Sequence, residues 1–210
     1  MSLDLTVFVV DDDENVRTSL QKLIHSVGLK TLTYPSAQNF LDSYDSNQAG
    51  CLVLDVRMPG VSGLDLQETL AAQNLRIPIV FITGHADVPT SVRAMKGNAT
   101  DFIQKPFSAQ TLLDAINRAL AKAEEIYDEE VTLSEIRRRV DLLTPREKEV
   151  LALVVTGKPN KQIAAELGTS EKTIKVHRAR VMKKLQADSL PHLVLLSQAV
   201  GIGVSKVRAC

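Results

Sequence analysis

The sequence predicts an α/β domain joined to an all-α one: an N-terminal doubly wound (βα)5 unit, a helical linker and a C-terminal four-helix unit containing a helix-turn-helix. Between Thr6 and Lys105 short β-rich runs alternate with amphipathic helical ones, the pattern of a parallel sheet covered on both faces. From Ser108 the helical pattern meets no Gly or Pro before Pro145, and everything beyond reads as helix. Charge separates the same two regions. The 210 residues carry 25 Lys plus Arg against 25 Asp plus Glu, but residues 1–120 hold nine basic and thirteen acidic side chains, 121–140 four and six, and 141–210 twelve and six. Balances of −4, −2 and +6 cancel in the sum, pointing to a cation or phosphate site in the first unit and a polyanion surface in the second.

Five strands are expected at Thr6–Val10, Lys30–Tyr34, Cys51–Leu54, Ile77–Ile82 and Asp101–Ile103. The first, third and fourth are continuous apolar runs, as strands buried on both faces are. Helices begin at Glu14, Ser36, Ser62, Val88 and Ser108, several opened by Ser or Asp as N-cap. Domain bounds follow at 1–122, a helical linker at 123–140, and a second domain at 141–210. In the linker region Ile116, Ala119, Ala123, Ile126, Leu133 and Val140 approach a coiled-coil spacing, with Glu130 and Arg137 in two seam positions. Thr144-Pro145-Arg146-Glu147 then has the form of a capping box with Pro at the first helical position. A short helix over Asn160–Leu167, a Gly168-Thr169-Ser170 turn and a longer helix over Glu171–Leu185 make the helix-turn-helix, and a last helix starts near Pro191.

A composition of 44% hydrophobic and 24% charged residues is that of soluble globular domains. No apolar run reaches the roughly 18–20 residues that span a bilayer, and no basic segment precedes an apolar one at the N-terminus, so a cytoplasmic protein without membrane partners is expected. Cys51 and Cys210 make neither a disulfide framework nor a metal cluster, and Cys51 reads as core. His25, His85, His177 and His192 lie in separate segments without zinc spacing.

Chemistry-bearing residues gather where strands end. Asp11, Asp12 and Asp13 follow the first strand, Asp55 the third, Thr83 the fourth and Lys105 the fifth. Carboxyl ends of the strands form the ligand crevice of an open parallel sheet. Like-charged carboxylates there are costly to ionise together unless a cation joins them, and hard oxygen ligands select Mg²⁺. With a hydroxyl and an ammonium added, the set forms a receptor for a phosphoryl group, Asp55 able to act as nucleophile.

V-V-D-D-D, L-D-V-R-M-P-G, F-I-T-G-H and D-F-I-Q-K-P-F resemble the receiver domains of two-component response regulators over residues 4–122. The resemblance implies that Asp55 is the phosphoacceptor, supplied by a histidine kinase. It also implies that Asp12, Asp55 and the backbone carbonyl of Arg57 bind Mg²⁺ while Asp11 assists. Thr83 and Lys105 would contact the phosphoryl oxygens, Phe102 would be the aromatic switch, and the Lys105-Pro106 peptide would be cis. Dimers in many receivers form on the surface of the fourth helix, fifth strand and fifth helix, where Val92 and Lys96 are candidates beside core or solvated readings. One departure is Gly97-Asn98-Ala99, where the family commonly has Ala-Gly-Ala.

On the longer helix of the second domain, roughly 100° per residue puts Ile174, Val181 and Leu185 on one stripe and Lys172, Val176, Ala179 and Lys183 opposite, flanked by Lys175 and Arg180. Small apolar residues among cations suit approach to base edges, with Lys and Arg reaching phosphates or guanine. L-T-P-R-E-K-E-V-L, N-K-Q-I-A-A-E-L and T-I-K-V-H-R-A-R-V-M-K-K-L resemble the LuxR/NarL type of DNA-binding domain over residues 141–203. That resemblance puts Lys175 and Val176 in the major groove and makes the final helix, with Leu193, Leu196 and Val200, either a dimer contact or ordinary core. The two-domain order is similar to FixJ/NarL-type response regulators, implying a transcription regulator that is no enzyme beyond its own phosphoryl transfer and dephosphorylation. Its expected partners are a histidine kinase, promoter DNA, a second copy on phosphorylation and RNA polymerase. A Mg²⁺-dependent phosphohydrolase using Asp55, and a phosphate-independent DNA binder with a vestigial acidic site, are the competing readings.

Overall fold

The computed structural model describes residues 3–84 and 87–203, so His85 and Cys210 lie outside the described residues. The chain divides into two compact units between Asp128 and Glu129. In the first, β1 (Thr6–Val10), β2 (Lys30–Tyr34), β3 (Gly50–Asp55), β4 (Ile79–Thr83) and β5 (Asp101–Gln104) form one parallel sheet in the order β2-β1-β3-β4-β5. Between them run α1 (Glu14–Ser26), α2 (Ala37–Ser43), α3 (Gly63–Ala72), α4 (Val88–Lys96) and α5 (Ala109–Asp141).

Alternation along the strands decides which helix covers which face. Phe8, Val10, Leu52, Leu54 and Phe81 pack with Phe40 of α2, Leu66 and Leu70 of α3 and Ala94 of α4. Val7, Val9, Cys51, Val53, Val80 and Ile82 point the other way, onto Leu20 and Ile24 of α1 and Leu112, Ile116 and Ala119 of α5. Cys51 is therefore core, and burial pushes its thiol well above the usual range, which keeps it protonated.

Several bounds move from those read in the sequence. β4 begins at Ile79 rather than Ile77, because Pro78 has no N–H for the ladder, although its carbonyl still accepts from Leu52 N at 2.9 Å. The strand also runs one residue further than expected, to Thr83. β3 gains Gly50, paired with Thr6, where a Cβ would lie 1.9 Å from the Thr6 carbonyl oxygen. Ser36 and Ser62 are N-caps, with α2 and α3 beginning one residue later. The segment 123–140 is helical. It is the distal part of α5, a single helix of 33 residues. Ile116, Ala119 and Ala123 of the coiled-coil pattern are buried in the first unit and Val140 packs on the core of the second, which removes them from an intermolecular seam. At the end of α4 the left-handed residue is Asn98 (φ 67°), while Gly97 has ordinary helical φ.

The second unit contains α6 (Pro145–Val154), α7 (Asn160–Glu166), α8 (Glu171–Leu185) and α9 (Leu190–Ala199). Both halves of the Thr144/Glu147 capping box form, with Pro145 opening α6. Val150, Leu151, Val154, Ile163, Ile174, Val181, Leu185 and Leu193 make its core. Leu193 is thus core, Leu196 packs against it, and Leu190 and Leu195 are large apolar residues of α9 that are exposed.

Candidate phosphoacceptor site and nucleic-acid interface

In this strand order the chain reverses direction across the sheet between β1 and β3, so a crevice opens at their carboxyl ends. Asp11 leaves β1 there and Asp55 ends β3. Lys105, just past β5, places Nζ 2.8 Å from Asp11 Oδ2 and 2.8 Å from Asp55 Oδ1. The second oxygen of each carboxylate accepts from backbone: Asp11 Oδ1 from Asp13 N at 2.9 Å and Asp55 Oδ2 from Arg57 N at 2.7 Å. Lys105 N donates to the Thr83 carbonyl at 2.7 Å, which ties the lysine to the end of β4, and the Lys105-Pro106 peptide is cis.

Both carboxylates are almost fully buried, at 1% exposure for Asp11 and 6% for Asp55. Burial raises the pKa of Asp55, the hydrogen bond and charge of Lys105 oppose it, and the Asp11 charge adds to the rise. Burial also works against the charge of Lys105, but its bonds to Asp11 and Asp55 outweigh that and raise its pKa. The ammonium of Lys105 thus bridges the two carboxylates in the crevice. The arrangement offers an anionic oxygen nucleophile and a cation able to turn toward an incoming anion.

Of the three consecutive aspartates, Asp13 caps α1 by accepting from Asn15 N at 2.8 Å, and Asp12 is exposed beside the crevice. The resemblance implies Asp12 and Asp55 as metal ligands with Asp11 assisting; in this structure Lys105 bridges Asp11 and Asp55. Among the described residues no three His, Cys, Asp or Glu side chains gather as a metal cage. Magnesium keeps several waters and takes oxygen ligands, so Asp11, Asp12, Asp55 and the Arg57 carbonyl have the chemistry that fits it. Thr83 is buried at the end of β4. Phe102 is half-buried, its ring centroid 6.2 Å from that of Phe81.

Two contributors to the site, and one buried residue outside it, were not read from the sequence. Arg17 of α1 donates through Nη1 to the carbonyls of Asp11 (2.8 Å) and Asp12 (2.9 Å), holding the acidic loop. At Gly63 a Cβ would come within 2.2 Å of the Asp55 carbonyl oxygen, so α3 can start directly behind the aspartate only with glycine there. Gln67 of α3 is buried and donates to α4. A glutamine on the stripe of Leu64 and Leu70 was the available signal for it.

In the second unit α8 buries Ile174, Val181 and Leu185 and leaves Lys172, Lys175, Val176, Ala179, Arg180 and Lys183 exposed, the face the sequence assigned to DNA. Two further cations of α8 serve the scaffold. Arg178 donates to Asn160 Oδ1 at 2.7 Å at the start of α7. Lys184 donates to buried Glu147 at 2.6 Å and to the Leu142 carbonyl at 3.0 Å.

The chain matches the model of the response regulator receiver domain over residues 7–117 and that of the luxR family of bacterial regulatory proteins over residues 141–197. It is 48% identical to Nodulation protein W of Bradyrhizobium diazoefficiens, across 95% of this chain and 88% of that protein. It is 45% identical to transcriptional regulatory protein FixJ of Rhizobium meliloti, across 96% and 99%. Among solved structures, that of response regulator StyR covers 92% of this chain and 98% of its own at 49% identity, with a TM-score of 0.76.

Proposed function

Because the chain belongs to the two-component response regulators that join a receiver domain to a LuxR-type DNA-binding domain, we propose that Asp55 accepts a phosphoryl group from a histidine kinase and so controls binding to promoter DNA. The observation that carries this reading is the Lys105 ammonium at 2.8 Å from both Asp11 and Asp55 at the switch point of the sheet. The Asp55 carboxylate attacks phosphorus in line as the bond to the kinase imidazole breaks, with Lys105 turning to the transferring oxygens. Asp12, Asp55 and the Arg57 carbonyl would hold Mg²⁺, with Asp11 assisting, and the ion would supply charge neutralisation for that transfer. Thr83 then moves toward the phosphoryl oxygen and Phe102 fills the space it leaves, a two-state packing change.

That change is relayed to the surface around α4, where Val88, Val92 and Met95 are exposed and a second copy would dock. In the DNA complex α8 lies in the major groove. Lys175 and Val176 reach base edges, and Lys172, Arg180 and Lys183 take phosphates, with Ala179 giving a close apolar approach. Domain bounds of 1–122 and 141–210, with 123–140 as the connecting part of α5, belong to this reading, as do a cytoplasmic location and RNA polymerase as a later partner. No helix among the described residues is long and apolar enough to cross a membrane. The test is acetyl phosphate or kinase labelling of Asp55→Asn: labelling should vanish, and sustained labelling elsewhere would overturn the assignment.

A further inference from the structure

The two ends of α4 are held very differently. Of its nine described residues Ala94, near the C-terminal end, is the buried one, while Val88 at the start is 75% exposed. The N-terminal turn is capped by Asp87, which accepts from Thr90 N at 2.7 Å. The C-terminal turn is bound to α3. Gln67, 5% exposed, donates through Nε2 to the carbonyls of Ala94 (3.1 Å) and Gly97 (2.9 Å) in the last turn. Space for this amide exists because residue 97 is glycine: a Cβ there would stand 2.4 Å from Gln67 Oε1. The left-handed turn then passes to Asn98, and Ala99 N returns to Ala94 O at 3.1 Å. Arg93 also reaches α3, at 2.8 Å from Glu68 and 3.4 Å from Asp65, but that pair is solvent-exposed and weak.

We propose that Gln67 is a positioning residue that pins the C-terminal end of α4 and makes it the pivot about which the helix turns when Asp55 is phosphorylated. The inference rests on the receiver reading above and adds to it which end of the helix is fixed, and by what. Movement of Thr83 enters α4 from its more exposed N-terminal end. With the other end locked by a buried amide, the displacement becomes a rotation of the exposed face carrying Val88 and Val92, with no sliding of the helix along α3. The departure at Gly97-Asn98 is then the counterpart of Gln67, glycine making room for the amide and asparagine supplying the left-handed residue.

The test is amide hydrogen exchange of the full chain in Mg²⁺ with and without beryllofluoride, for the wild type, Gln67→Leu and Gly97→Ala. Leucine fills the buried site without donating, and alanine displaces the amide from the opposite side, so two unlike changes remove one contact. In the wild type the beryllofluoride response is expected over 83–91 and not over 94–99. In both variants it spreads into 94–99, where exchange becomes about tenfold faster in the beryllofluoride state than without it. Acetyl phosphate labelling stays within about twofold of wild type because neither residue touches Asp55. A response still confined to 83–91 in both variants, or faster exchange at 94–99 that is equal with and without beryllofluoride, overturns the pivot and leaves the receiver reading standing. A wild type with no beryllofluoride response in the first unit overturns that reading and the pivot with it.

Discussion

Replacing Glu147 by Gln should weaken the second unit by about 2 kcal/mol at neutral pH. The carboxylate is buried, with 2% of the residue exposed, and accepts from Lys184 Nζ at 2.6 Å and from Thr144 N at 2.9 Å. Glutamine keeps an oxygen for the Thr144 N–H and loses the charge that Lys184 meets. A charge-assisted hydrogen bond contributes about 1.5–3 kcal/mol, whereas breaking a fully buried ion pair costs about 3–5. The lower range applies, because the Lys184 side chain is 33% exposed and its ammonium can rehydrate. For a unit of this size the loss corresponds to roughly 10 °C in Tm. The bond to Lys184, reinforced by the Thr144 N–H, holds the Glu147 pKa below its ordinary value of 4.5. A depressed carboxylate stabilises the fold above its unfolded pKa and ceases to do so as pH falls through the folded value. The difference between wild type and variant should therefore be constant near neutrality and shrink only below about pH 4.5. The sequence has no Trp for fluorescence, so the assay is urea-dependent exchange of the buried Ile174 and Val181 amides. A loss under about 0.5 kcal/mol, or one as large at pH 3 as at pH 7, would refute the reasoning.

Asp55→Asn should raise the stability of the first unit by about 1 kcal/mol in chemical denaturation, since burial and Asp11 disfavour the charge it removes; an unchanged or lower midpoint contradicts this. Gly63→Ala should cost roughly 3 kcal/mol or more, because a Cβ at 2.2 Å from the Asp55 carbonyl oxygen forces the start of α3 away, and it should slow acetyl phosphate labelling as well. Arg180→Ala should weaken DNA binding evenly across sequences and reduce the salt slope by about 1, whereas Lys175→Ala should also relax base preference; a selection of bound sequences with titrations at several salt concentrations separates the two.

The sheet and its site were legible because parallel strands buried on both faces read as apolar runs, and because one polar residue after each run is conspicuous. V-F-V-V and L-V-L-D needed nothing more. The start of β4 was misjudged because Ile77 continues the apolar run, although Pro78 cannot join the ladder; Ile77 is buried all the same. Three adjacent aspartates could not be told apart in one dimension. Which is buried, which is exposed and which caps α1 depends on where the loop turns, and Arg17 sets that from a helical turn away. Gln67 and Gly97 lie 30 positions apart, and neither signals the other until α3 and α4 are packed. On α8 periodicity separated buried from exposed residues, but it could not show that Arg178 and Lys184 are held by Asn160 and Glu147.

Those two anchored cations divide the labour along α8. Ile174, Arg178, Val181, Lys184 and Leu185 fix the orientation of the helix, while Lys172, Lys175, Val176, Ala179, Arg180 and Lys183 face solvent without supporting the core. If Lys175, Val176 and Ala179 meet base edges as proposed, preference for one DNA sequence over another can drift, or be engineered, at those positions at little cost to folding. Descendants of one ancestral regulator could acquire different target sites while inheriting an unchanged scaffold.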